Sequence, residues 1–160
     1  MINKIAAYID SCIDAGDIYG ASFSIITPQG VTQYYHGKQG KDDFAIGLDP
    51  SMIYDLASVT KVVGTTTRIF QLLSDHTIRL EDPVARFLPG FAHKEITIKQ
   101  LLLHNSGLPA DIDNLTTMNR EDLIAAIYNA ELINRPGEKF VYSDLGYIIL
   151  GWIIRTVDGA

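Results

Sequence analysis

The segment Ser58-Val59-Thr60-Lys61 has the residue types and spacing of a nucleophilic site. A serine hydroxyl attacks a carbonyl only when a base removes its proton and a positive field favours the alkoxide. The start of a helix supplies that field through its unpaired N–H groups. Lys61, three residues further along, would lie on the same helical face as Ser58. The spacing therefore indicates a nucleophile with a proton-handling partner, although a helix-capping serine followed by a surface lysine gives the same pattern.

Two later segments make the chemical interpretation more specific. Tyr142-Ser143-Asp144 follows the turn Pro136-Gly137 and opens an apolar helix, so the Tyr142 hydroxyl can face Ser58. Thr97 and Gln100 predict a capping box at the start of a short helix. Residues 101–108, Leu-Leu-Leu-His-Asn-Ser-Gly-Leu, continue this helix, which should end in a tight glycine turn at Gly107 that His104 braces. Three motifs in a fixed order are far less frequent by chance than one.

With these motifs the sequence resembles the serine β-lactamase and penicillin-binding-protein superfamily, especially its class C-like branch of D-alanyl carboxypeptidases and esterases. That group has Ser-x-x-Lys, then Leu-Leu-x-His-x-Ser-Gly-Leu, then Tyr-x-Asn or Tyr-Ser-Asp. The resemblance covers nearly the whole chain from residue 21 onward. It implies an acyl-enzyme route in which Ser58 attacks a carbonyl, Lys61 and Tyr142 manage the proton, and water releases the acyl group.

Asp144 stands where asparagine is commoner in the family. A carboxylate near Lys61 would raise the pKa of the lysine, keep it charged and shift the role of proton acceptor toward Tyr142. Alternatively, Asp144 only interacts favourably with the dipole of its helix. The sequence leaves open which of these two roles Asp144 has. It also leaves open whether Lys61 or Tyr142 accepts the proton.

The resemblance implies a hydrolase for an ester, a β-lactam or a D-alanyl peptide. Two other readings stay open: a penicillin-binding sensor module that is acylated without turnover, and a non-catalytic fragment. The motifs do not separate them, because release of the acyl group depends on pocket details outside these residues. No cofactor or metal is expected, since the four histidines have no partner at ligand spacing.

Composition limits the class of protein and its partners. With 160 residues, 47% of them apolar and 20% charged, the chain is long enough for one folded domain, residues 1–160. The net charge of −6 argues against nucleic acid as a partner. The family resemblance implies a small-molecule or peptide acyl substrate as the partner. No segment is long and apolar enough to span a bilayer, and no signal peptide is visible. A cytoplasmic location is the default, whereas a sequence trimmed of an export signal would look the same.

The periodicity predicts an α+β fold: an N-terminal helix, a β-hairpin of residues 21–27 and 31–36, then a mainly helical part. The N-terminal helix is indicated by the helical spacing of its isoleucines from Ile2 to Ile13, and the hairpin by the loop Pro28-Gln29-Gly30 between its strands. We expect residues 1–50 to form the sheet-forming part and residues 51–160 the helical part. The helix after Ser58 should bury one apolar face, with Val59, Val62, Val63, Ile69, Leu72 and Leu73. The last helix should turn six apolar residues inward: Leu145, Ile148, Ile149, Trp152, Ile153 and Val157.

Nothing after Tyr142 matches the strand that carries Lys-Thr-Gly in the family, and that strand supplies the second oxyanion donor. We therefore expect the chain to be the N-terminal half of a β-lactamase-like domain, with C-terminal sheet strands missing. Alone it should be inactive. Through the open edge of its hairpin it should associate with itself or with the complementary half.

Overall fold

The computed structural model describes residues 2–114 and 117–159. The chain divides into two compact units, Met1–Asp55 and Leu56–Ala160. Its helices and strands are α1 (Ile2–Asp14), β1 (Gly20–Thr27), β2 (Gly30–Gly37), α2 (Thr67–Ser74), α3 (Ile98–Leu102), α4 (Arg120–Tyr128) and α5 (Asp144–Asp158), with a π-helical turn at Lys61–Thr66 and a 3₁₀ turn at Val84–Arg86. The predicted α+β class is confirmed. That all residues form a single domain stays a prediction. None of the helices in the described ranges is both long and apolar enough to cross a membrane.

The first unit consists of α1, the hairpin and the segment that follows it. Strands β1 and β2 pair antiparallel from Gly20 opposite Gly37 to Thr27 opposite Gly30. Two residues, Pro28 and Gln29, form the connecting loop, so the predicted hairpin is confirmed. Within this unit, Asp10 of α1 hydrogen-bonds with Tyr34 and His36 of β2.

The second unit has an apolar core to which all its helices contribute. Fifteen buried side chains form it: Ile69, Leu72, Ile78, Val84, Leu88, Phe91, Ile96, Ile98, Leu101, Leu108, Ile127, Leu145, Ile149, Leu150 and Ile153. Helix α3 packs on α5, where Leu101 lies beside Gly146. This packing brings the loop after α3 close to the start of α5.

The helix after Ser58 is continuous from residue 59 to residue 74 but contains the π-helical turn. Ile69 and Leu72 are buried, as predicted. The prediction for Val59, Val62 and Val63 is wrong, because these side chains are 54%, 62% and 53% exposed. Val62 and Val63 lie within the π-turn, and Val59 lies before it. A π-turn contains an extra residue compared with an α-turn, so the three valines are rotated away from the face that Ile69 and Leu72 bury.

The ends of α3 follow the sequence signals only in part. Thr97 and Gln100 form the predicted capping box at its start. At its end, the residue in the left-handed conformation is His104, with φ of 54°, rather than Gly107. Gly107 has φ of 86° three residues later, and a Cβ there would lie 2.2 Å from the carbonyl oxygen of Asn134. Gly107 is therefore required by a close backbone contact and not by the end of the helix.

Helix α5 buries most of its predicted face. Leu145, Ile149 and Ile153 are fully buried, while Trp152 and Val157 are partly buried against the core. The prediction for Ile148 is wrong, since 36% of this residue is exposed. Ile148 lines an open cleft of about 330 Å³ instead of the core.

Candidate active site

Ser58 lies in the turn immediately before the helix of residues 59–74. The N–H groups of the next three residues, Val59, Thr60 and Lys61, donate to the carbonyls of Leu56, Ala57 and Ser58. No backbone carbonyl of the described residues accepts the Ser58 N–H. An exposed serine at this position combines a free backbone donor with the positive end of a helix.

Ala57, directly before the nucleophile candidate, has a φ of 44°. Residues with a side chain adopt this left-handed conformation rarely, because Cβ crowds the backbone. Strain of this kind persists only where the surrounding structure fixes the chain, and it concentrates at functional sites. Nothing in the sequence marked Ala57, since alanine is the residue most compatible with an ordinary helix.

The structure brings the predicted site residues Ser58, Lys61 and Tyr142 together. The Tyr142 hydroxyl donates to Ser58 Oγ at 2.8 Å. Lys61 Nζ lies 3.2 Å from the same oxygen and donates to it as well. Tyr142 is 84 residues from Ser58 in the chain, so their contact depends on how α5 packs. The Tyr142 side chain remains partly open to solvent, as a group that meets a substrate must.

The fourth predicted residue, Asp144, lies beside Lys61 and not beside Ser58. Its Oδ1 is 2.7 Å from Lys61 Nζ, with the lysine side chain 17% exposed and the aspartate side chain 51% exposed. This hydrogen bond with Asp144 is the main cause that raises the pKa of Lys61 above its usual value. Lys61 is therefore an ammonium ion at neutral pH.

Tyr142 has the opposite shift. Hydrogen bonds first with Ser58 and then with Lys61 lower the pKa of the Tyr142 phenol, and the lysine charge acts in the same direction. The positive charge of Lys61 favours the phenolate over the phenol, and so does the Ser58 contact once the serine hydroxyl is the donor and the tyrosine oxygen the acceptor. Of the two side chains that contact Ser58 Oγ, Tyr142 therefore loses its proton more readily than Lys61.

The segment that carries Tyr142 and Asp144 is fixed by the loop after α3. Ser143 is buried, donates from Oγ to the carbonyl of Pro109 at 2.7 Å, and caps α5 by accepting the Gly146 N–H. The Asp144 N–H donates to the carbonyl of Ala110 at 2.9 Å. Two successive residues, Ser143 and Asp144, are thereby hydrogen-bonded to one loop. These bonds fix the position of the adjacent Tyr142 relative to α5.

Two further aromatic residues at the site were not predicted from the sequence. The ring of Tyr147 has its centroid 5.9 Å from Lys61 Nζ, and its hydroxyl lies 3.2 Å from that of Thr66. Its spacing of three residues from Asp144 on α5 is the signal that would have found it. His104 was expected only to brace the glycine turn, whereas its ring stacks against both Tyr142 and Tyr147.

Comparisons with known proteins show the family to which this chain is similar. The family model described as Beta-lactamase matches residues 5–160. Protein flp of Staphylococcus aureus (strain COL) is 35% identical over 166 aligned positions, covering 96% of this chain and 33% of that protein. A protein of Escherichia coli (strain K12) assigned as a D-alanyl-D-alanine carboxypeptidase is 32% identical over 124 positions, covering 67% of this chain and 29% of its own length.

A solved class C β-lactamase shares the fold. It superposes with a TM-score of 0.84 at 17% identity, covering 99% of this chain and 44% of that structure. The chain spans about a third of the length of the curated relatives that it matches, with 33% of flp covered. Because the family model extends over nearly all residues and the flp relative over most of them, the chain belongs to the β-lactamase family.

Proposed function

We propose that this chain carries the acylating site of a serine hydrolase, with Ser58 as the nucleophile. The observation that supports this most strongly is the pair of hydrogen bonds on Ser58 Oγ, at 2.8 Å from Tyr142 and 3.2 Å from Lys61. An oxygen that accepts from a phenol and from an ammonium ion is stabilised as an alkoxide far better than in water.

In the proposed reaction the phenolate form of Tyr142 accepts the Ser58 hydroxyl proton while Oγ forms a bond to the substrate carbonyl carbon. The carbonyl electron pair moves to its oxygen, and the Ser58 N–H donates to the resulting oxyanion. Collapse of this intermediate expels the leaving group, which takes the proton from Tyr142. A water molecule then repeats the sequence on the acyl-enzyme and restores Ser58.

Lys61 acts in this proposal as a fixed positive charge. Asp144 raises its pKa, so it stays protonated through the cycle and favours both the Tyr142 phenolate and the Ser58 alkoxide. A permanently charged group of this kind needs no reorganisation when negative charge develops on the serine.

For the acyl donor we propose a D-alanyl peptide, a β-lactam or an ester. The support for the first is the relative assigned as a D-alanyl-D-alanine carboxypeptidase, and the chain aligns with less than a third of that protein.

Incubation of the full-length protein, with the C-terminal half that the sequence leads us to expect, with a fluorescent penicillin and with p-nitrophenyl acetate tests the proposal. We expect a burst of product at one equivalent of enzyme followed by steady turnover, and neither in Ser58→Ala. Ser24→Ala, which removes an exposed hydroxyl from β1, should behave as the wild type. A stable adduct without turnover would instead identify a sensor module, and no adduct with either compound would contradict the assignment of an acylating site.

A further inference from the structure

His104 occupies a backbone position that suits glycine. After α3 ends, the His104 N–H donates to the carbonyl of Leu101 and the Asn105 N–H donates to that of Gln100. These two bonds form a Schellman motif, in which the left-handed residue is usually glycine. His104 has this role with φ of 54°, so the turn is less stable than it would be with glycine. The imidazole therefore needs an explanation other than the turn.

The imidazole and its backbone hold the chain on both sides of Tyr142. Nδ1 of His104 accepts the Ser143 N–H at 3.0 Å, and the His104 carbonyl accepts the Val141 N–H at 2.7 Å. Between these two bonds the rings of His104 and Tyr142 stack, with centroids 4.5 Å apart and planes inclined by 29°. One residue thus fixes the preceding backbone, the following backbone and the ring plane of Tyr142.

The hydrogen bond to Ser143 requires a neutral imidazole. Because Nδ1 accepts, the ring proton must be on Nε2, and protonation of Nδ1 would place two N–H donors against each other. Burial is the largest cause that lowers the pKa of His104, and the nearby Lys61 charge lowers it further, while Asp144 opposes them. The other rings that face His104 are those of Tyr142, Tyr147 and Phe140.

We propose that His104 is a positioning residue for Tyr142: its neutral ring holds the phenol oxygen on Ser58, and its protonation releases the segment around Tyr142. This inference rests on the proposed function of Ser58 and Tyr142. A positioning role differs from a purely structural role in one respect. The acylation rate should follow the protonation of His104, although this side chain does not contact the substrate.

Two variants separate positioning from turn stability. His104→Asn keeps an acceptor near the position of Nδ1, tolerates the left-handed conformation and does not titrate. His104→Gly relieves the backbone but removes both the acceptor and the stacking ring. At pH 8 we expect His104→Gly to react with a fluorescent penicillin about 100-fold more slowly than the wild type, which is the usual effect of a small displacement of a catalytic group. The acylation rate of His104→Asn should fall much less.

The pH profile gives the second readout. Because burial lowers the pKa of His104, the wild type should lose acylation rate through His104 protonation only at a pH below the ordinary range of histidine, and His104→Asn should lack that component. A His104→Gly protein with the wild-type rate and the wild-type profile would overturn the proposal.

A third readout does not depend on catalysis. The tyrosinate absorbance of the wild type minus that of Tyr142→Phe reports the pKa of Tyr142 alone. If Tyr142 leaves Ser58 and Lys61, His104→Gly should raise this pKa toward the ordinary value of about 10. An unchanged pKa would contradict the positioning role. If the wild type forms no acyl adduct while this pKa shifts as expected, the proposed function fails and the positioning of Tyr142 by His104 stands.

Discussion

Asp144 Oδ1 lies 2.7 Å from Nζ of Lys61, and this ion pair distinguishes the two side chains that contact the Ser58 hydroxyl. Without the carboxylate, a lysine three residues after the serine would be the natural base. With it, the pKa of Lys61 rises. The pKa of Tyr142 is lowered by its hydrogen bonds with Ser58 and with the charged Lys61, against an opposing effect of the Asp144 charge. The departure from the commoner asparagine therefore bears directly on the mechanism.

Asp144→Asn should move the acidic limb of the pH–rate profile to lower pH. Loss of the carboxylate lowers the pKa of Lys61, and it also removes a charge that raises the pKa of Tyr142. Whichever group accepts the proton, the active form then persists to lower pH, by on the order of one unit for a close pair. The profile is measured by acylation with a fluorescent penicillin, with Asp113→Asn as the control. An unmoved profile with intact activity would leave Asp144 with a role at the start of α5 only.

Substitutions of Lys61 should reveal whether its charge or its basicity matters. Arginine keeps the charge and does not lose its proton in proteins, whereas methionine removes the charge. We expect Lys61→Arg to acylate faster than Lys61→Met, and Tyr142→Phe to lose about 100- to 10,000-fold as expected for a missing acid–base group. Rates are compared by single-turnover acylation. Equal inactivity of the arginine and methionine variants, with Tyr142→Phe active, would identify neutral Lys61 as the base.

The same ion pair should stabilise the fold in a pH-dependent way. Because the folded pKa of Lys61 is raised, its contribution is complete below the unfolded value of about 10.4 and is lost as pH rises through the folded pKa. Asp144 is half-exposed, so the contribution to the free energy of unfolding should be no more than about 1 kcal/mol. Urea unfolding of the wild type and of Asp144→Asn at pH 8 and at high pH checks this. A stability difference that grows at high pH would contradict the sign.

Two glycines in the second unit should respond to alanine in opposite directions. At Gly107 a Cβ would lie 2.2 Å from the Asn134 carbonyl oxygen at a left-handed φ, so Gly107→Ala should lower the free energy of unfolding by about 1–3 kcal/mol. At Gly151, inside α5, no described atom lies within 4 Å of the added carbon, so Gly151→Ala should raise it by about 1 kcal/mol. Urea unfolding measures both changes. Equal destabilisation would mean that the contact at Asn134 does not determine the requirement for glycine.

The hairpin should promote self-association at high protein concentration. Among the described residues β1 and β2 pair only with each other, so each strand has an unpaired outer edge. The cross-strand pair Ile26 and Val31 is also exposed, by 79% and 61%. Exposed edges with apolar side chains favour pairing with another chain, and a lysine on the edge opposes it. Sedimentation velocity should therefore show less association for Ile26→Lys than for Gln29→Lys in the loop. Equal behaviour of these two variants would exclude the edge as the contact.

The elements that could be predicted from the sequence are those with a local signal. The isoleucine spacing of α1, the loop at Pro28 and the capping pair Thr97 and Gln100 act over a few residues, and all three features are confirmed. The motifs also indicated which four residues to examine at the site, because a helix start and a three-residue spacing bring Ser58 and Lys61 together. Their catalytic roles stay predictions.

The features that could not be predicted from the sequence depend on backbone conformation or on packing between distant segments. Hydrophobic spacing assumes a constant helical turn, and the π-turn before Ile69 breaks that assumption and exposes the three valines. Left-handed conformations at Ala57 and His104 run against residue preference and so leave no signal. The approach of His104 to Tyr142 requires α3 to pack on α5, which no local pattern encodes.

The most direct test of the central claim is the identity of the residue that becomes acylated. The protein is treated with a fluorescent penicillin, digested, and the labelled peptide is identified by mass spectrometry, with Ser58→Ala in parallel. We predict a single label on Ser58 and none in the variant. Ser106 and Ser143 serve as internal controls, since both are buried and should stay unlabelled. Label retained in the Ser58→Ala protein, or found on either of these two serines, would contradict the assignment of Ser58 as the nucleophile.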